Sequence, residues 1–218
     1  MMLNNVQHTM TRTALHLNLL ALLLTVFFLN PGSTQAIGNS DRTLPGFADF
    51  RRSVQNGEAD VLRSVYAPTV LALPVVQQPE DRPYYVSNQD GEATQFSMAT
   101  QYGNIGLLAH NTLSGRSFSQ LSIGQQVYLV YGDGRVDDFV VANILRFQAS
   151  KPESVSSSFH NLDGKETLSA GEMFSRAYGG ERHLVFQTCI EANGNASWGR
   201  LFIVAMPKGS NQRFNAVS

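Results

Sequence analysis

His183-Leu-Val-Phe-Gln-Thr-Cys-Ile190 is a run of branched and aromatic residues, and a second such run, Arg200-Leu-Phe-Ile-Val-Ala-Met206, follows it. Both compositions favour strands, and around a loop from Ile190 to Gly199 they read as an antiparallel hairpin. Cys189 then ends one strand where Arg200 opens its neighbour. If the two are directly opposite, their Cα atoms lie about 5 Å apart. Working outward, 126–132 (QVYLVYG) and 135–147 (RVDDFVVANILRF) are two further strands, with Tyr131-Gly132-Asp133-Gly134-Arg135 as the tight turn between them. Residues 103–110 (GNIGLLAH) form another. The stretch 64–76 (SVYAPTVLALPVV) contains Pro68 and Pro74, so it is an edge strand or two short pieces.

Helical signals are few. Phe47, Phe50 and Val54 recur at helical spacing before Gly57 interrupts. Ser169 and Glu172 form a capping box ahead of Met173, Phe174 and Ala177, and Gly179-Gly180 supplies the stop. Many closely spaced strands with one or two short helices indicate a mainly β protein, a closed or nearly closed barrel.

The chain's 218 residues suit a single domain behind a leader. Residues 13–29 (TALHLNLLALLLTVFFL) are apolar apart from His16 and Asn18, follow Arg12, and lead to Thr34-Gln35-Ala36. A basic start, a short apolar core and small residues before Ile37 make 1–36 a signal peptide or, alternatively, an uncleaved N-terminal anchor. Either way the remainder faces outward: 37–61 is a linker with a short helical stretch, 62–207 the barrel and 208–218 a tail. The expected location is extracellular or cell-surface. With a formal charge of −1 and no stripe of bases interleaved with aromatics, nucleic acid is excluded as a partner, and a peptide or small molecule fits better.

Cys189 is the sole cysteine. In an exported chain it cannot close an internal disulfide, which leaves a buried small hydrophobe, an intermolecular link or a reactive thiol. A guanidinium beside it lowers the thiol pKa and offers donors to an oxyanion, so Arg200 is a candidate partner; a solvated strand-end charge is the other reading. A cysteine nucleophile needs a histidine. His8 and His16 lie in the leader. His183 is on the Cys189 strand six residues away, about 20 Å along it. His160 falls in the polar loop SSSFHNLDG. His110 ends its strand and can face the end of the Cys189 strand if the two run parallel; by elimination it is the partner, the alternative being a hydrogen-bonded structural histidine.

These residues add up to a pattern. Ala109-His110-Asn111, then FSQLSIGQQVYLVY (118–131), then Thr188-Cys189, then Arg200 opening RLFIVA resemble the sortases, exported cysteine transpeptidases. That family has a histidine closing a strand, F-x-x-L and G-x-x-V behind it, a T-L-x-T-C strand and an arginine opening the next. Here Val185 and Phe186 replace the first threonine and leucine of that strand, and the subclass stays open. LALPVVQQP (71–79) resembles the family's early proline-containing strand, and the resemblance spans roughly 62–206.

The resemblance implies a closed eight-stranded β-barrel with the site at one end of the strands. In it Cys189 attacks a backbone carbonyl in a sorting signal to form a thioacyl enzyme. His110 protonates the leaving amine and deprotonates the incoming one, and Arg200 steadies the oxyanion or positions the substrate. The partners implied are the sorting-signal peptide of a surface protein and an amine acceptor, with no cofactor and no metal. Thr188 and Trp198 are candidate substrate-binding residues, Trp198 being alternatively a core anchor of the hairpin. Water in place of the amine makes the same protein a peptidase; a catalytically silent peptide-binding barrel is the remaining alternative. Asp133, Asp137 and Asp138 straddle a hairpin without the spacing of a calcium loop. Asn161-Leu162-Asp163-Gly164 reads as a turn, and Asn195-Ala196-Ser197 as a glycosylation acceptor in a glycosylating host.

Overall fold

The computed structural model describes residues 43–154 and 156–209. The leader, most of the tail and the start of the linker lie outside them. The strands are β1 (Leu62–Ala67), β2 (Leu71–Gln77), β3 (Ala93–Phe96), β4 (Ile105–Leu108), β5 (Gln126–Tyr131), β6 (Val136–Ala149), β7 (Ser158–Asn161), β8 (Thr167–Ser169), β9 (Leu184–Ala192) and β10 (Asn195–Pro207). Four helices accompany them: α1 (Phe47–Val54), α2 (Ser97–Gln101), α3 (Gly115–Phe118) and α4 (Ala170–Tyr178).

The strands follow the order β10-β9-β4-β3-β2-β1-β5-β6, and a further β10–β6 pairing closes them into an eight-stranded barrel. Strands β7 and β8 hang from β6 outside that ring. Two neighbours are parallel, β2 with β3 and β4 with β9; the remaining pairings are antiparallel. The closed mainly β architecture matches the sequence expectation. The proline-bearing stretch is two pieces, β1 and β2, paired with each other.

Side chains alternate across the wall with a period of two. Leu107 and Ala109 of the β4 segment, Leu184 and Phe186 of β9, and Leu201, Ile203 and Ala205 of β10 fill the interior. Phe118, Leu121 and Val127, the apolar positions of the F-x-x-L and G-x-x-V stretch, are buried there too, with Phe118 packing edge-on against Phe186 at 5.0 Å between ring centroids. On the outer face, Leu108, Val185 and Phe202 meet Met173, Phe174, Ala177 and Tyr178 of α4 and Phe159 and Leu168 of the β7–β8 hairpin. This second core gives the wall a buried outer face beside the active-site candidates. Helix α1 covers another part of the outside, setting Phe47 against Tyr66 and Tyr128.

The capping box is present as expected: Ser169 accepts from the Glu172 amide and Glu172 reaches back to the Ser169 amide. At the helix end the Tyr178 hydroxyl donates to Gln187 Oε1 at 2.7 Å, a buried bond tying α4 to β9. Asn104 donates to the Tyr178 carbonyl and accepts from the His183 amide, closing the same junction.

Several readings need correction. The loop from Ile190 to Gly199 is strand: β9 continues to Ala192 and β10 starts at Asn195, with a bulge between Asn195 and Gly199 and a turn at Asn193-Gly194, where Asn193 takes positive φ. The polar composition of this segment hides the pairing. Trp198 is accordingly a half-buried residue of β10 rather than a loop residue. His160 is exposed but lies in β7, its ring between Ser150 and Thr167. Helices α2 and α3, of 5 and 4 residues, are too short to leave a periodic signal.

Tyr178→Phe leaves Gln187 Oε1 buried without its donor. Chemical denaturation should show a loss of about 1–3 kcal/mol; an unchanged midpoint would show that the bond contributes nothing.

Candidate active site

Strand β9 lies between β10 and β4, and its two registers place the candidate residues. On the antiparallel side Arg200 is directly opposite Cys189. On the parallel side Leu108 pairs with Gln187, and the Ala109 amide continues the ladder to the Gln187 carbonyl. Two residues further along this register His110 comes level with Cys189. By the alternation that sends Ala109 and Phe186 inward, His110, Cys189 and Arg200 all belong to the outer face. Cys189 and Arg200 are thus paired on adjacent strands, and His110 follows two residues after the end of the parallel neighbour β4. The parallel run of the His110 and Cys189 strands is the arrangement the sequence argument required.

Arg200 is fully buried. Its Nη1 donates to the carbonyls of Ser197 and Gly199, both at 2.9 Å, and its guanidinium sits 5.9 Å from the centre of the Phe159 ring on β7. It is therefore not a solvated strand-end charge. The bulge of β10 supplies both carbonyls, so it orients the guanidinium. Gly199 is required there because a Cβ would run into the Phe147 carbonyl of β6.

Cys189 is 4% exposed. Burial pushes its thiol from 9.0 up to about 11; the Arg200 charge and a hydrogen bond from the Ser197 hydroxyl pull the other way, and Glu153 adds to the rise. Burial also holds the half-buried His110 below its ordinary value. Both groups are therefore neutral at rest near pH 7, and burial outweighs the guanidinium.

His110 stands in a turn immediately after β4. Its carbonyl accepts from the amides of Leu113 and Gly115, both at 2.9 Å. Thr188 lies on the opposite face of β9 from Cys189, in the interior, where its hydroxyl donates to the Ala109 carbonyl at 2.8 Å. It touches the segment that carries His110 rather than the outer face. A Cβ at Gly115 would collide with Thr188 Oγ1 and approach the Ala109 and His110 carbonyls at 2.7 Å, so α3, Thr188 and the His110 turn are packed as one unit. His183 is buried, its ring nitrogens on the carbonyls of Glu181 and Ala177, a structural role.

Two residues that sequence reasoning did not assign also belong here. Ser197 hydrogen-bonds the thiol and holds Arg200; Asn111 donates to the Ala196 carbonyl at 3.0 Å. Both stood in quoted motifs, Asn111 beside the histidine and Ser197 in the glycosylation triplet, yet only the β10 bulge reveals their role.

The hairpin aspartates are engaged elsewhere. Asp137 pairs with Arg135 and Arg182, and Asp138 with Lys208. Among the described residues no cluster of His, Cys, Asp and Glu is arranged to hold a metal ion.

No protein-family model and no curated protein sequence matches the chain. The fold is similar to solved sortases. Sortase A of Listeria monocytogenes is 14% identical with a TM-score of 0.44, over 68% of this chain and 87% of that one. A sortase D5 transpeptidase of Clostridium perfringens is 13% identical with a TM-score of 0.42, over 76% and 90%. Sortase C-1 of Actinomyces oris is 12% identical with a TM-score of 0.40, over 75% and 81%.

The raised thiol pKa has a measurable sign. Alkylation requires the thiolate, so the rate at Cys189 should climb about tenfold per pH unit through pH 7–10; a plateau by pH 9 would contradict a pKa of about 11. The stability carried by the protonated thiol is complete below 9.0 and lost as pH rises through about 11. That carried by neutral His110 is present above 6.5 and lost on acidification.

Proposed function

We propose that this chain is an exported cysteine transpeptidase of the sortase kind, with Cys189 as nucleophile, His110 as acid and base, and Arg200 as oxyanion stabiliser. The observation that carries the reading is the buried Arg200 directly opposite Cys189, on a strand whose parallel neighbour β4 leads into the His110 turn. A solvated strand-end charge does not account for a fully buried guanidinium directly opposite the thiol.

The chemistry follows from the neutral resting pair. Substrate binding brings a peptide carbonyl to the thiol, and His110 takes the thiol proton as sulfur attacks. Arg200 opposes the negative charge that grows on the carbonyl oxygen. His110 then gives its proton to the departing amine, leaving a thioester on Cys189. An incoming amine loses its proton to His110, attacks the thioester and restores the thiol. Water in the amine's place yields hydrolysis. The substrate is a sorting-signal peptide of a surface protein and the acceptor an amine. Thr188 acts from the interior by holding the Ala109 carbonyl, a positioning role in place of the substrate contact expected of it, while Trp198 is kept as a candidate wall of the peptide site.

Residues 1–36 serve as the export signal or anchor, 62–207 as the catalytic barrel, and the protein works outside the cell or at its surface. Among the described residues no helix is long and apolar enough to cross a membrane. One observation favours a catalytically silent peptide-binding barrel, namely that the thiol is 4% exposed; acylation requires that cover to part.

Incubation with a mixed peptide library and hydroxylamine, reading peptide hydroxamates by mass spectrometry, tests this reading. Cys189→Ala and His110→Ala should abolish product while circular dichroism shows the fold retained. For a peptide the wild type cleaves, Arg200→Ala should lower kcat on the order of 10²- to 10³-fold with little change in KM. Arg200→Lys keeps charge but not the planar fork and should also be much impaired. Full activity of Cys189→Ala ends the enzyme reading, and near-normal turnover of Arg200→Ala leaves a Cys-His pair.

A further inference from the structure

We propose that Ser197 is a further catalytic residue, whose hydroxyl donates to the Cys189 sulfur whenever that sulfur carries negative charge. This rests on the reading of Cys189 as the nucleophile and extends it.

The β10 bulge places the side chain. Asn195 is paired with Ala192 and Gly199 with Ile190, so four steps of β10 run beside two of β9. Ser197 is the middle residue of that excess and is 8% exposed. Both of its backbone groups are engaged: the amide donates to Asn195 Oδ1 at 2.7 Å, and the carbonyl accepts from Arg200 Nη1 at 2.9 Å. These bonds hold the backbone on either side of the Cα, and the hydroxyl meets the thiol.

The polarity of that contact gives it a chemical role. A neutral thiol and a hydroxyl can bond in either direction, whereas a thiolate only accepts. The bond is therefore stronger to the anion and favours it. Sulfur carries charge twice in the proposed reaction: once when His110 has taken its proton for the attack, and again when the thioester is cleaved and the sulfur leaves. In the thiol and the thioester it is neutral. A donor that binds more tightly at the two charged moments lowers the barrier to both half-reactions. The Ser197 hydroxyl keeps its own proton throughout, and the transferred proton stays with His110.

Alanine at 197 removes the hydroxyl but leaves the amide and carbonyl that join Asn195 and Arg200 to the bulge. Two readings of Ser197 then predict opposite signs. If it only fills space beside the thiol, the smaller side chain exposes the sulfur and alkylation quickens. If it supplies the donor, the thiolate is disfavoured and alkylation slows.

The test times Cys189 alkylation by iodoacetamide at pH 8 in wild type, Ser197→Ala and Ser197→Thr, with circular dichroism to check the fold. Losing a hydrogen bond to a charged group lowers the thiolate fraction about tenfold, and the greater nucleophilicity of a more basic thiolate returns part of this. Ser197→Ala should therefore react at least threefold more slowly, and Ser197→Thr, which keeps the hydroxyl, should stay close to wild type. A rate in Ser197→Ala equal to or above wild type would overturn the proposal, as would Ser197→Thr reacting as slowly as Ser197→Ala. Alkylation needs no turnover, so it decides the role of the hydroxyl even if no library peptide is cleaved, a result that would instead count against the proposed function. For a peptide that is cleaved, Ser197→Ala should lower kcat about tenfold with little change in KM; an unchanged kcat would remove Ser197 from the reaction.

Discussion

The structure depends on β9 being paired on one side to an antiparallel strand and on the other to a parallel one. The antiparallel partner brings Arg200 opposite Cys189, because a hairpin returns along the strand it left. The parallel partner ends at Leu108, level with Gln187, so the segment leaving it runs through Ala109 to His110 in the direction in which β9 runs on to Cys189. Neither pairing alone assembles three groups. A one-residue slip of either would send one of these groups to the interior face. The closely packed interior, where Leu107, Phe186, Leu201 and Ile203 are fully or nearly buried, opposes such slips.

The same wall explains the electrostatics. Its outer face is covered by α4 and the β7–β8 hairpin, so these groups sit at the edge of a second core rather than in open water. A buried guanidinium is costly unless hydrogen-bonded, and the β10 bulge answers this by turning the Ser197 and Gly199 carbonyls toward Arg200. The cover also keeps thiol and imidazole uncharged at rest, with the Arg200 charge and Ser197 hydroxyl already beside the sulfur. The thiol is thus neutral at rest, beside groups that favour its anion.

Much of this was legible in the sequence. The apolar runs gave the long strands, and the composition of 183–206 gave the hairpin and with it the Cys189–Arg200 pairing. The capping box located α4, and the apolar run before His110 gave β4. What stayed hidden was short or polar. Strand β3, of 4 residues, and β8, of 3, leave too few positions for alternation to show. The bulge at Asn195–Gly199 looked like a loop because Asn-Ala-Ser-Trp-Gly is largely small and polar, and four steps of β10 there span only two of β9. Its hidden pairing concealed the parts played by Ser197 and Asn111. The inward placement of Thr188 was within reach, since neighbours on a strand face opposite ways and Cys189 was assigned to the site.

The central claim is that Cys189 forms a covalent acyl intermediate, and intact-mass spectrometry after incubation with the peptide library, no amine added, tests it most directly. The account predicts a new mass that maps to Cys189, disappears on addition of hydroxylamine, and is absent from Cys189→Ala. Peptide cleavage by Cys189→Ala, or an adduct that maps to any other residue, would contradict it.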